Sequence, residues 1–387
     1  MVMSSTFDPN NVDLDTADPA QVVCYINASP NDYNGHLGAR ISAVFVILVV
    51  STFTTFFPVA AVRVRMLKMP LHVYLFARYF GAGVIVATAF IHLLDPAYSE
   101  IGPQTCVGMT GGWASYSWPP AIALVSVIFI FLLDFSAERY VELKYGFSHT
   151  DVNVEDLIVE HTDDSAGTGG SGTQPHQHLH TGDQNLNDDG VLSTSASVQD
   201  QFQSEKKGKT VTDVEALKES VNAHLFREQI AAFLILEFGV IVHSVIIGLN
   251  LGVVGSEFST LYPVIVFHQS FEGLGIGARM SAIPFPTKYR YLPWALCTAY
   301  GLTTPIAIAI GLGVRTTYSS GSFTANIISG VLDSISAGIL IYTGLVELLA
   351  RDFLFNPQRT KSSSQLAFVL VSLLTGVGIM ALLGKWA

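Results

Sequence analysis

Two runs decide the reading of this chain: Glu237-Phe-Gly-Val-Ile-Val-His243-Ser244-Val-Ile-Ile-Gly248-Leu-Asn250-Leu-Gly252, and His268-Gln269-Ser270-Phe-Glu272-Gly273-Leu-Gly-Ile-Gly277. Each sets a few ligand-type side chains into an apolar stretch long enough to cross a bilayer. A helix rises 1.5 Å per residue, so about 20 apolar residues span a hydrocarbon core of ~30 Å. His243 falls near the middle of the first stretch. His268 and Glu272 fall near the middle of the second, slightly toward its outer end. Four residues apart, His268 and Glu272 share one helix face. Only a few residues around Gly255 separate the stretches, which predicts a tight antiparallel hairpin with His243 facing the pair. Two imidazoles and a carboxylate at bilayer depth make a ligand set suited to Zn²⁺ and tolerant of Fe²⁺, Mn²⁺ or Cd²⁺. A lone histidine in a span is more often an interhelical hydrogen-bonding group. Three such groups at one depth on adjacent helices point to a metal. The pairs Gly248/Gly252 and Gly273/Gly277 are expected to let backbones approach and bring the ligands into reach of one another.

The rest of the chain is built around this hairpin. Of its 387 residues, 50% are hydrophobic and 13% charged, and the mean hydropathy is +0.43. A soluble domain carries about 25% charged residues. The net charge of −11 lacks the basic stripe that nucleic acid requires. Eight stretches reach spanning length, at 41–62, 73–97, 119–140, 229–253, 258–283, 291–314, 323–350 and 365–383. Their apolar runs are continuous rather than alternating, which excludes a transmembrane β-barrel. The fold expected is all-α and polytopic, embedded in a lipid bilayer. Residues 1–40 form an acidic outer tail, 41–140 the first three spans, 141–225 a loop, and 226–387 the last five spans. With loops assigned alternately to two sides, 17 of the 20 basic residues fall on one side. That split makes this side cytosolic and leaves both termini outside. No Lys or Arg precedes Arg40 and no short apolar core precedes the first span, so a cleavable signal peptide is not expected.

The loop from about Gly146 to Leu225 is rich in Ser, Thr, Gly, Asp and Gln and reads as disordered. It holds six of the 11 histidines, including His176, His178 and His180 in Pro175-His-Gln-His-Leu-His180. Alternating imidazoles on a flexible chain form a weak, mobile cation site suited to regulation. Cys24 and Cys106 both fall outside, where a disulfide between them is permitted; two separate thiols are the alternative. Cys297 lies within the sixth span. Asn27-Ala-Ser29 is a glycosylation sequon that Pro30 weakens.

The two opening runs resemble the ZIP family of divalent-metal transporters, in the fungal and plant branch with H-S-V-x-I-G-L-x-L-G in the fourth span and H-Q-x-F-E-G in the fifth. Ile91-His92-Leu-Leu-Asp95-Pro96-Ala in the second span also matches that branch. The resemblance covers most of the chain. It implies a fungal-type zinc importer of eight helices, the first three and last three related as inverted repeats around the central hairpin. It implies homodimers, transport by one bundle sliding against another, and His243, His268 and Glu272 as ligands of the moving ion. Members with two adjacent metals carry Asn after the first histidine and an acid four residues beyond it. Here Ser244 and Ile247 stand at those positions, Gln269 follows His268, and the sixth span has no acid. The departure implies a single transported ion, which is cargo and not a cofactor.

Other polar groups at or near membrane depth are candidates for the ion's route. They are His92 and Asp95 at the outer end of the second span, Glu237 on the inner side of His243, and Asn250 and Gln269 within the hairpin. Asp134 and Glu347 lie toward the inner ends of the third and seventh spans. Each reads equally well as a helix-end or interhelical hydrogen-bonding residue. Two further functions compete with transport. An intramembrane zinc hydrolase would need a general base beside the ligands, and no H-E-x-x-H is present. A receptor with a structural metal fits poorly with eight spans. Iron or manganese could replace zinc as the ion. The positive-inside pattern suits the plasma membrane, with the vacuole as the alternative.

Overall fold

The computed structural model describes residues 11–13, 15–27, 33–64, 70–145, 211–317, 319, 321–355 and 362–386. Every regular element among them is helical. A short helix α1 (Pro19–Asn27) precedes α2 (Leu37–Arg63). Next come α3 (Leu71–Ala87), a π-helical stretch at Thr88–Leu94, and α4 (Asp95–Ile101), which form one continuous rod. Then follow α5 (Trp118–Tyr145), α6 (Val211–Val253), α7 (Phe258–Ala282) and α8 (Leu292–Val314). Helix α9 (Phe323–Tyr342) continues as a π-helical stretch, Thr343–Phe355, and α10 (Ser363–Leu383) closes the chain.

Seven of these rods are long and apolar enough to cross a membrane: Leu37–Arg63, Leu71–Ile101, Trp118–Ala137, Gln229–Val253, Thr287–Val314, Phe323–Arg351 and Ser363–Leu383. The expected fifth span, α7, has the length at 25 residues but is not among the seven. His268, Gln269, Glu272 and Arg279 dilute its apolar content, and the first three are buried. The protein is thus an all-helical polytopic membrane protein with seven clearly apolar rods and one helix whose polar residues are turned inward.

The helices sort into two bundles. In one, α2 packs on α7 and α8, and α7 on α8. Helix α6 joins it where Gly248 meets Ala307 and Gly252 meets Gly311 of α8. Ala43, Ile47, Leu251, Phe258, Ile265 and Ile308 form its core. In the other bundle, α3 packs on α10, and α9 packs on α4, α5 and the first π-helical stretch. The bundles meet along α3 and α7, where Gly81 and Gly275 set backbone directly against backbone, and along α6 and α9, where Gly239 packs on the side chains of Ile339 and Leu340. The glycine pairs therefore act differently from the sequence expectation. Gly248 and Gly252 face α8, and Gly273 and Gly277 face Ser51, Thr54 and Thr55 of α2. They hold each half of the hairpin to a third helix rather than pressing α6 onto α7.

Two further features refine the sequence reading. Helix α6 begins at Val211, inside the segment read as loop. Glu215-Ala-Leu-Lys-Glu219 is a run of strong helix formers that compositional reasoning passed over. Arg40, in the first turn of α2, is fully buried. Its guanidinium donates to the carbonyls of Leu251 (3.1 Å), Gly252 (3.3 Å) and Val254, and to Gly35 and Asn34. It thus caps the C-terminal end of α6, where unpaired carbonyls and the helix dipole favour a cation. Cys24 of α1 is disulfide-bonded to Cys106, with Cα atoms 4.5 Å apart. The histidine tract at 176–180 lies outside the described residues.

Candidate metal centre

His243 projects from the middle of α6, and His268 and Glu272 from one face of α7. All three are almost completely buried, at 2%, 3% and 0% exposure. Their ligand atoms lie within 4.8 Å of one another. His268 Nε2 stands 3.3 Å from Glu272 Oε1, and the two imidazole rings are 5.4 Å apart. Neither nitrogen of His243, nor His268 Nε2, nor either oxygen of Glu272 has a hydrogen-bond partner among the described residues. A buried polar atom left without a partner costs about 1–3 kcal/mol. Converging lone pairs that lack donors are the environment a cation satisfies.

The neighbours of the trio are already engaged. Gln269 Nε2 donates to Ser244 Oγ at 3.4 Å, and Tyr300 donates its hydroxyl to Gln269 Oε1 at 3.1 Å. The positions that would hold a second metal thus form a hydrogen-bonded chain beside the first.

The remaining candidates separate clearly. His92 lies in the π-helical stretch of the second rod, with its ring 4.8 Å from that of His268. It stands beside the trio rather than at the end of its rod. Its Nε2 lies 3.0 Å from the Met380 carbonyl, which fixes the ring from behind. Asp95 and Asn250 are exposed. Glu237 is buried at 2% exposure, with neither carboxylate oxygen partnered among the described residues. Asp134 accepts from the Tyr342 hydroxyl at 2.8 Å and pairs with Arg351 at 3.6 Å. Glu347 pairs with Arg351 at 2.9 Å and with Arg279 at 4.0 Å. Asp134 and Glu347 therefore belong to an ion-pair cluster, which Arg279 of the other bundle joins through Glu347.

One residue escaped the sequence reading. Asp333, on α9, is 3% exposed. Its Oδ1 lies 3.9 Å from His243 Nδ1 and has no hydrogen-bond partner among the described residues. The available signal was an isolated acid inside the seventh apolar stretch.

The family model described as ZIP Zinc transporter matches residues 37–384. Zinc-regulated transporter 1 of Saccharomyces cerevisiae is 56% identical, over 98% of this chain and 97% of its own length. Zinc-regulated transporter 1 of Schizosaccharomyces pombe is 42% identical, over 97% and 92%. Zinc transporter 9 of Oryza sativa subsp. japonica is 32% identical, over 92% of each. No solved structure matches the chain.

Proposed function

The chain belongs to the ZIP zinc transporter family, and on that premise we propose that it imports zinc into the cytosol, one ion at a time, on His243, His268 and Glu272. It is a transporter and not an enzyme. The observation that carries the reading is the convergence of three buried, unpartnered ligand groups within 4.8 Å at the boundary between two helix bundles. A site between bundles can be opened to either side by moving one against the other. The backbone-on-backbone contact of Gly81 with Gly275 offers little side-chain interlock to oppose such a slide.

The single-ion stoichiometry is supported by the Gln269–Ser244 hydrogen bond, which occupies the place of a second site. Eight spans, with the first three and last three as inverted repeats, follow if α7 crosses alongside the seven apolar rods. The 17-of-20 split of basic residues supports outer termini and suits the plasma membrane. The resemblance extends the reading to a homodimer; the alternating imidazoles of His176, His178 and His180 suit a regulatory role, and the imidazole–carboxylate ligand set tolerates Fe²⁺, Mn²⁺ or Cd²⁺ as secondary cargo.

Initial zinc uptake per molecule at the cell surface tests the site. His243→Ala and His268→Ala each remove a ligand that water replaces poorly in a desolvated pocket. Glu272→Gln removes an anionic ligand and keeps the size. Uptake in all three is expected to fall at least tenfold, whereas Ser244→Ala is expected to stay within twofold. Near-normal uptake in the two histidine variants would place the ion elsewhere.

A further inference from the structure

We propose that Asp333 is the fourth ligand of the transported ion, supplied by the opposite bundle, so that a bound zinc ties the two bundles together. The proposal rests on the reading of His243, His268 and Glu272 as the ion site.

Four observations lead to it. Zinc favours four ligands in a tetrahedron, and the trio supplies three. Asp333 presents a buried carboxylate oxygen with no hydrogen-bond partner among the described residues, 3.9 Å from His243 Nδ1. Two donors on one tetrahedral zinc, with bonds of ~2.0 Å, sit about 3.3 Å apart. Closing by about half an ångström would set these two atoms at the spacing of neighbouring donors on one ion; the trio, whose atoms lie within 4.8 Å of one another, must contract around the ion as well. The third observation is charge. Two neutral imidazoles and Glu272 leave bound Zn²⁺ with a net charge of +1 at bilayer depth, where an uncompensated charge is costly. A second carboxylate makes the ion and its ligands neutral. His92, the other nearby group from the opposite bundle, adds no charge, and its Nε2 is committed to the Met380 carbonyl. The fourth is position. Asp333 lies on α9, packed on α4 and α5, whereas the trio lies on α6 and α7. Ligation across this boundary couples ion binding to the relative position of the bundles: breaking the Asp333 bond frees them to slide with the ion still on the trio.

The test uses the full chain purified in lipid nanodiscs, with zinc as the probe. Carbon-13 in the side-chain carboxylate of aspartate alone separates its infrared bands from those of glutamate. One equivalent of zinc is expected to shift one aspartate carboxylate band in the unmodified chain, and Asp333→Asn is expected to abolish that shift and weaken zinc affinity at least tenfold. Asp333→Glu keeps the charge and is expected to stay within a few-fold of the unmodified affinity. No aspartate shift in the unmodified chain overturns the proposal without any variant, as does a shift that survives in Asp333→Asn. His243→Ala separates the two readings. Loss of binding there with full binding in Asp333→Asn defeats only the fourth ligand. Full binding in both defeats the site itself.

Discussion

Adding one methyl group at Gly275 is the sharpest perturbation of the boundary between the bundles. A Cβ built there lies 2.8 Å from Gly81 Cα and 3.2 Å from the Gly81 carbonyl carbon and oxygen. All three are backbone atoms, so no side chain can swing away. Carbon atoms in ordinary contact stand about 3.5–4.0 Å apart, so α3 and α7 must part by roughly 1 Å. Overpacking of this kind costs about 1–3 kcal/mol. Gly275 stands one helical turn beyond Glu272, so the displacement reaches the ligands themselves, and metal–ligand distances tolerate about 0.2 Å. The methyl also turns a smooth contact into one that interlocks. Gly275→Ala is therefore expected to lower initial zinc uptake per surface molecule at least tenfold. Gly378→Ala, on α10 with no atom within 4 Å of the added carbon, is expected to leave uptake unchanged. If Gly275→Ala retains more than half of normal uptake at normal surface abundance, the close glycine contact is not part of the transporting boundary, and the sliding argument fails.

Three other outcomes follow from single features. Arg40→Lys keeps the charge but loses the fork that reaches three carbonyls at the end of α6; it is expected to cost about 2–3 kcal/mol, read as a lowered melting temperature in detergent. Cys24→Ser opens a disulfide that closes a separation of 82 residues; a loss of about 2–5 kcal/mol is expected, with no further loss when Cys106→Ser is added. Deletion of residues 176–180 is expected to leave uptake by purified protein in liposomes unchanged while weakening metal-triggered removal from the cell surface. Loss of uptake by the folded deletion protein would place the tract in the conduction path.

What was legible in the sequence was local. Continuous apolar runs marked the helices because hydrocarbon admits little else, and α8 and α10 begin and end within a few residues of their expected bounds. His268 and Glu272 could be placed on one face because helical spacing fixes it. His243 could be set opposite them because a short connection forces a hairpin. The partners of the glycine pairs were not legible. A G-x-x-x-G run says that a helix approaches closely, not which one, and the choice of α8 and α2 depends on the whole bundle. The π-helical stretches at Thr88–Leu94 and Thr343–Phe355 leave no mark in hydropathy, although the first changes which way His92 points. Asp333 was missed for a related reason. It has no ligand-type neighbour within a turn of its own helix, and its meeting with His243 joins residues ninety positions apart.

The acids of the membrane region divide by partner, and the division bears on how an ion moves. Asp134 and Glu347 are held by Arg351, and Arg279 reaches Glu347 from α7. A cation arriving there must compete with guanidinium groups already in place, so charge alone does not make these acids stations on the route. At the centre, Glu272 and Asp333 face imidazoles, and no Lys or Arg is paired with them among the described residues. Glu237, six residues before His243, is buried and likewise unpartnered there. Opposite charges 4 Å apart attract by about 1 kcal/mol in water and about 4 kcal/mol at the effective dielectric of a protein. The Arg279–Glu347 pair, 4.0 Å long and spanning both bundles, therefore resists their separation there. Sequence position placed Asp134, Glu347, Glu272 and Asp333 alike inside apolar stretches. Only the arginines packed against two of them distinguish acids already held in ion pairs from acids with no Lys or Arg paired to them among the described residues.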